Sequence, residues 1–164
     1  MEIKDNTLFP MPLKMLISVF LVVLSVGYFS ALFFVNETTS SNATGIIENY
    51  NGNENNEEAE EMKFKKSKHE MLNIIHTHIL SMSVIFFILA LLVYTCNIHP
   101  TLKTFLMVEP LISVLLTFGG IFLIWNEVEW MTYIVMLSGG LMTASFIVSI
   151  LTVYYSMFLK TFIK

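Results

Sequence analysis

Arginine is missing from this 164-residue chain, cysteine occurs once, and charged residues make up only 13% of it. With no arginine and a formal net charge of −4, there is no basic surface for phosphate, which excludes a nucleic-acid partner. The only basic cluster is Lys63, Lys65, Lys66 and Lys68, in a segment, 36–70, that also carries eight glutamates. Cys96 stands alone at the end of an apolar run, so a disulfide, a C-x-x-C redox motif and a C-x-x-C-H covalent haem attachment are all excluded. There is also no phosphate-cradling glycine pattern, no H-E-x-x-H and no Ser/His/Asp set on loops, so we read a protein that is not an enzyme.

What the chain has in abundance is apolar sequence, 55% by residue. Its charges are confined to short segments: none lies between Lys14 and Glu37, and only Glu109, Glu127 and Glu129 lie between Lys103 and Lys160. A membrane-spanning helix needs about 20 mostly apolar residues. Four stretches qualify, 13–35, 68–96, 105–125 and 131–159. They predict a single-domain, all-α integral membrane four-helix bundle with one long extracytoplasmic loop, 36–67, between spans one and two. The first run exceeds the usual signal-peptide core and lacks a small-x-small cleavage pattern, so it reads as a retained anchor.

Orientation follows the lysines. Lys4, Lys14, Lys103, Lys160 and Lys164 fall on one side, and the four loop lysines fall on the other. The short second external loop carries Glu127 and Glu129 but no lysine, which favours both termini in the cytoplasm. Trp125, Trp130 and Tyr133 then sit at the outer interface, where amphipathic rings are favoured. In the long loop, Ser67 followed by Glu70 has the form of a capping box that starts the second span near Lys68. Glu61 and Lys65, spaced i,i+4, suggest a surface helix through "EEAEEMKFKKSK". Asn36 and Asn42 open N-x-S/T sequons.

At about 100° per residue, His69, Asn73, His76, Thr77, Ser81 and Ser83 of the second span share an arc of roughly 160°. Such an arc should face protein rather than lipid. His78 lies about 200° further round than His76, so the pair in "HTH" cannot chelate one metal from a regular helix. Span three has the stripe Glu109, Ser113, Thr117 and Gly120; span four has Ser138, Met142, Ser145, Ser149 and Thr152. Gly140 and Ala144 add a small-x-x-x-small pair of the kind that packs membrane helices. The first span, mostly apolar, belongs at the periphery.

Ionisable residues inside a membrane default to function. His76 is the leading candidate, as an axial ligand to haem b, with Gly139 and Gly140 giving room for a porphyrin edge. Met136, Met142 or a second subunit would supply the opposite ligand. His78 with Met82, i,i+4, is an imidazole and thioether pair suited to copper or another transition-metal ion. Glu109 invites a proton path through Ser113, Thr117 and Ser83 to His76, or a snorkelling pair with Lys103 or Lys160. The bland alternative is that His76 only hydrogen-bonds across helices, to Ser138 or Thr143. Glu48, Tyr50 and Asn73 are candidates for orienting a ligating histidine from outside the ligand set.

The segments "GIIENYNG", "MKFKKS", "HTHILSMSVIFF", "EPLISVLLTFGG" and "LSGGLM" resemble those of a group of uncharacterised bacterial four-span inner-membrane proteins. These have a G-I-x-E-x-Y-x-G loop motif and an H-x-H at the start of the second span, and the likeness runs from about Gly27 onward. It implies shared features at Gly45, Glu48, Tyr50, Gly52, His76 and His78, a bacterial inner membrane and accidental sequons. It supplies no activity. The expectation is therefore a small multi-pass subunit in a lipid bilayer, binding haem or a metal beside a membrane redox or respiratory complex or within a homo-oligomer. The alternatives are a structural or assembly protein without cofactor and a proton or ion carrier using Glu109 and His76.

Overall fold

A computed structural model describes residues 9–54, 56, 59 and 61–159. It contains α1 (Met11–Thr39), α2 (Ala43–Asn51), α3 (Lys68–Tyr94), α4 (Pro100–Trp125) and α5 (Met131–Tyr154), the last running into a π-helical turn, Tyr155–Leu159. Four apolar stretches, Met11–Thr39, Lys68–Tyr94, Pro100–Trp125 and Met131–Phe158, are long enough to cross a bilayer, so the chain is an all-α, multi-pass membrane protein. Prolines set two of the starts: Pro12 lies in the first turn of α1 and Pro100 opens α4, where a missing N–H removes no helical bond. The predicted capping box opens α3. Ser67 Oγ accepts from the Glu70 N–H at 3.3 Å and Glu70 Oε2 from the Ser67 N–H at 2.8 Å.

Helices α4 and α5 form the central pair. The buried side of α4 is Leu106, Ser113, Thr117, Gly120 and Ile124, and that of α5 is Met131, Val135, Ser138, Met142, Ser145 and Ser149. These are largely the stripes that the sequence displays on spans three and four. A Cβ on Gly120 would stand 2.5 Å from Val135 Cγ2, so the absent side chain is what lets the two backbones approach. Just below it, the Thr117 and Ser138 hydroxyls bond each other at 2.8 Å in a fully buried position. Gly140 and Ala144 face away from the bundle, and a Cβ on Gly140 would meet nothing within 4 Å. Their small-residue pair therefore makes no helix contact within the chain.

The first span is peripheral, as its composition suggests. Leu16, Val19, Val23, Val26 and Phe33 are exposed, and α1 reaches the bundle mainly through long side chains. Tyr28 stacks on Phe146 at a centroid distance of 4.0 Å and bonds the Thr143 hydroxyl at 3.1 Å. Nearer the chain ends, Tyr154 Oη donates to the Ser18 carbonyl at 2.9 Å and Lys14 Nζ to the Met157 carbonyl at 3.0 Å.

The connection between α1 and α3 is more ordered than a linker. Asn42 caps α2 by accepting the Gly45 N–H at 2.7 Å, and Asn36 Oδ1 accepts from Ser41 Oγ at 2.9 Å, so both sequon asparagines serve the fold. "GIIENYNG" is helical rather than a turn, and its Ile46 enters the core. Gly45 sits where a Cβ would strike the Thr39 carbonyl, and Gly52 has φ 82°, so each glycine answers a local need. The surface helix expected through 57–68 does not form over 61–66; residues 57, 58 and 60 lie outside the described residues. Phe64 bridges Gly52 instead, the Asn53 N–H donates to the Lys63 carbonyl at 2.9 Å, and the Lys63 N–H donates to Asn53 Oδ1 at 2.6 Å. Lys65 pairs not with Glu61 but with Glu127 at 3.0 Å. An i,i+4 pair stabilises a helix by only about 0.2–0.5 kcal/mol, less than these tertiary bonds together supply.

Two variants test this packing by thermal or denaturant unfolding in detergent. Ser67→Ala should destabilise by about 1 kcal/mol through loss of the cap. Gly120→Val should destabilise by about 1–3 kcal/mol by overpacking, whereas Gly140→Val should be close to neutral; equal effects at the two glycines would contradict the assigned α4/α5 contact.

Candidate functional site

Two groups of polar side chains lie along the apolar lengths of the spanning helices. The first is on α3. This helix turns Met71, Phe86, Leu89, Ala90 and Val93 inward, with Ile75, Ile79 and Met82 partly buried beside them. The arc of His69, Asn73, His76, Thr77 and Ser81 is consequently exposed. The expectation that this arc faces protein thus fails within the chain, because the larger apolar residues of α3 claim the core side. Ser81 Oγ returns to the Thr77 carbonyl at 2.7 Å. No hydrogen bond from the side chains of Asn73, His76 or Thr77 occurs among the described residues. Ser138 and Thr143, the expected partners of His76, are engaged with Thr117 and Tyr28 instead.

Helical geometry does split the histidines. His78 turns toward α4, where its ring stacks on Phe118 at 4.8 Å, and Nδ1 lies 2.7 Å from the Ile74 carbonyl. A carbonyl only accepts, so Nδ1 is the donor, and Nε2 has no hydrogen-bond partner among the described residues. Met82 lies one turn on and packs against the core. Gly139 and Gly140 meet no atom within 4 Å of an added Cβ; Gly140 is exposed and Gly139 partly so. No cluster of three or more His, Cys, Asp or Glu residues able to hold a metal occurs among the described residues. A haem or metal bound at His76 would take its remaining ligands from another chain or from the cofactor's surroundings.

The second group centres on Glu109. The sequence places it near the terminal end of its span, but α4 begins at Pro100, five residues before the expected start. Glu109 is therefore about 14 Å along a helix of about 39 Å, roughly 9 Å inside a centred hydrocarbon layer of about 30 Å. Ser113 Oγ donates to Glu109 Oε1, while Oε2 is buried with no hydrogen-bond partner among the described residues. Lys103, a predicted counter-charge, turns the other way: its ammonium donates to the Tyr94 carbonyl at 3.2 Å and lies over the Tyr94 ring. Lys160 lies outside the described residues. The proton path expected from Glu109 to His76 forms its first link at Ser113, but Thr117 then bonds Ser138 on α5 rather than Ser83 on α3.

Above the α3 and α4 ends, the α1–α3 connection forms a cap. Asn51 Nδ2 donates to the Ile124 carbonyl at 2.7 Å, Trp125 Nε1 to the Lys66 carbonyl at 2.8 Å, and the Lys66 N–H to the Tyr50 carbonyl at 3.1 Å. Lys63 Nζ closes the end of α1 at the Thr38 carbonyl, 2.9 Å away. Burial in this cap pushes the Tyr50 phenol above its ordinary pKa, against a smaller pull from a hydrogen bond with Asn49. No hydrogen bond joins Glu48 or Tyr50 to a histidine among the described residues; Tyr50 ties α2 to the segment before α3 through its carbonyl at Lys66, and Asn51 makes the bond to α4. The sequence reading passed over Asn51, Tyr28 and Pro110. A proline inside an apolar run was the one visible signal, since it must leave a helical carbonyl unpaired.

No curated protein and no solved structure matches the chain. A family model described as a transmembrane helical domain, Aq_1264_TM, matches residues 40–162. That interval takes in the cap, the exposed polar face of α3 and the whole of α4 and α5. The chain belongs to this family of transmembrane helical domains.

Proposed function

We propose that this chain is a non-enzymatic subunit of a bacterial inner-membrane assembly, with both termini in the cytoplasm, that docks helix to helix through the polar face of α3. The observation that carries the reading is the exposure of Asn73, His76 and Thr77, whose side chains have no hydrogen-bond partner among the described residues, within the apolar length of a spanning helix. Lipid tails neither donate nor accept hydrogen bonds, so such groups are stable only against another polar surface. Leu80 and Val84 lie on the same face and are also exposed, giving the contact apolar ground between its polar points. A docked helix recovers about 0.6–2 kcal/mol for each interhelical hydrogen bond.

His76 gives this reading its redox form. A neutral imidazole on a docking face is half of an axial pair; a histidine or methionine from the docked helix completes a haem b site, and a thiolate or thioether completes one for copper. A cofactor held between subunits is consistent with the absence of a metal-holding cluster among the described residues. Without a cofactor, the same face serves assembly alone.

A photocrosslinking amino acid at Leu80, in cells expressing the full chain, should yield one discrete protein adduct, and the same probe at Val23 on α1 should yield lipid only. Lipid-only adducts at both positions would overturn the docking reading. If His76 ligates haem, the purified assembly shows a Soret band that His76→Ala removes while leaving the crosslink at Leu80; a colourless, metal-free assembly leaves the non-cofactor form.

A further inference from the structure

We propose that Glu109 and Ser149, together with the backbone carbonyl of Leu106, form an intramembrane site between α4 and α5 for one hard monovalent cation, for which Na⁺ is the probe. The site is separate from the α3 face, and three observations meet there. The first is the carboxylate: Glu109 Oε1 accepts from Ser113, and Oε2 is buried and unpartnered among the described residues. The second is Ser149, whose residue is 0% exposed and whose Oγ is buried without a partner among the described residues. The third is Pro110, inside α4, which has no N–H to give to the Leu106 carbonyl one turn below.

The helix register brings Glu109, Ser149 and the Leu106 carbonyl to within one turn of each other, while Ser113, two turns above Ser149, holds the carboxylate and not the ion. Thr117 bonds Ser138, and Gly120 packs on Val135. Carried down both antiparallel helices, the same register sets Ser149 opposite Leu106, with Glu109 less than a turn above. Leu106, Ser113 and Ser149 all lie on the buried sides of their helices. The ligand set is oxygen throughout: carboxylate, hydroxyl and a bare carbonyl, which suits a hard ion. Membrane transporters likewise hold Na⁺ with backbone carbonyls freed at a helix break.

Charge decides the valence. No charged group from a neighbouring helix faces the carboxylate among the described residues. Tyr28 of α1 carries an uncharged phenol, hydrogen-bonded to the Thr143 hydroxyl. The Lys103 ammonium sits on Tyr94, and Lys14 is bound to the Met157 carbonyl. One carboxylate with one monovalent cation is neutral, whereas a divalent ion would leave a net charge in hydrocarbon, which is costly.

The test is the melting temperature of the purified full chain in detergent or nanodiscs, titrated with NaCl against choline chloride at constant ionic strength. Wild type should melt at a higher temperature as Na⁺ rises, with saturation, and KCl should act more weakly. Glu109→Gln should abolish the shift. Ser149→Ala, which removes one neutral ligand, should raise the half-saturating Na⁺ concentration by about tenfold. If Glu109→Gln does not fold, the wild-type and Ser149→Ala titrations decide, with Pro110→Ala as a third variant that restores the helical bond and also weakens Na⁺. Equal melting in Na⁺ and choline, a shift that pH alone reproduces, or a Na⁺ response unchanged in Ser149→Ala would overturn the proposal. None of these outcomes depends on the Leu80 crosslink, so the two sites fail or stand separately.

Discussion

Every hydrogen-bonding group in the hydrocarbon layer needs a partner that lipid cannot provide, and the arrangement of this bundle follows from where such partners are found. Between α4 and α5 the need is met inside the chain, by the Thr117 and Ser138 hydroxyls beneath the close approach at Gly120. At the ends of the helices it is met by the cap, where Asn51, Trp125, Lys63 and Lys66 take up or supply terminal backbone bonds. The first span has few polar side chains to satisfy and is therefore held loosely, by Tyr28 and its contacts with Phe146 and Thr143. Among the described residues the need is not met on the α3 arc or at Glu109 Oε2, and it is there that the proposed docking face and ion site lie.

These two places ask for different things. The α3 arc is wide, lateral and made of groups that both donate and accept, which suits another helix. The Glu109 site is narrow, lies between two packed helices and offers only oxygen, which suits an ion. His76 and Glu109 thus belong to separate surfaces, although both are ionisable residues at membrane depth. The expected proton relay between them is interrupted because Thr117 is committed to α5.

Much of the architecture was legible in the sequence because its signals are local or periodic. The four apolar runs, the Ser67 and Glu70 cap, the buried stripes of spans three and four and the separation of His76 from His78 all follow from helical spacing alone. The outward turn of the α3 arc was not legible. Periodicity says that a polar arc avoids lipid, but not whether the surface that covers it lies in the same chain. The helix in "GIIENYNG" was missed because its stability comes from Ile46 in the core and Asn51 on α4, contacts distant in sequence. Lys103 looked like a counter-charge for Glu109 by proximity along the helix, yet the free carbonyl and ring of Tyr94 hold it on the opposite side.

The most direct measurement is the oxygen accessibility of single spin labels placed along α3 in native membranes. Labels at Asn73, Thr77 and Val84 should collide with lipid-dissolved oxygen far less than labels at Val19, Val23 or Phe33 on α1, because a second polar surface covers that face. Oxygen collision rates on α3 as high as those on α1 would show the arc open to lipid and would contradict this account.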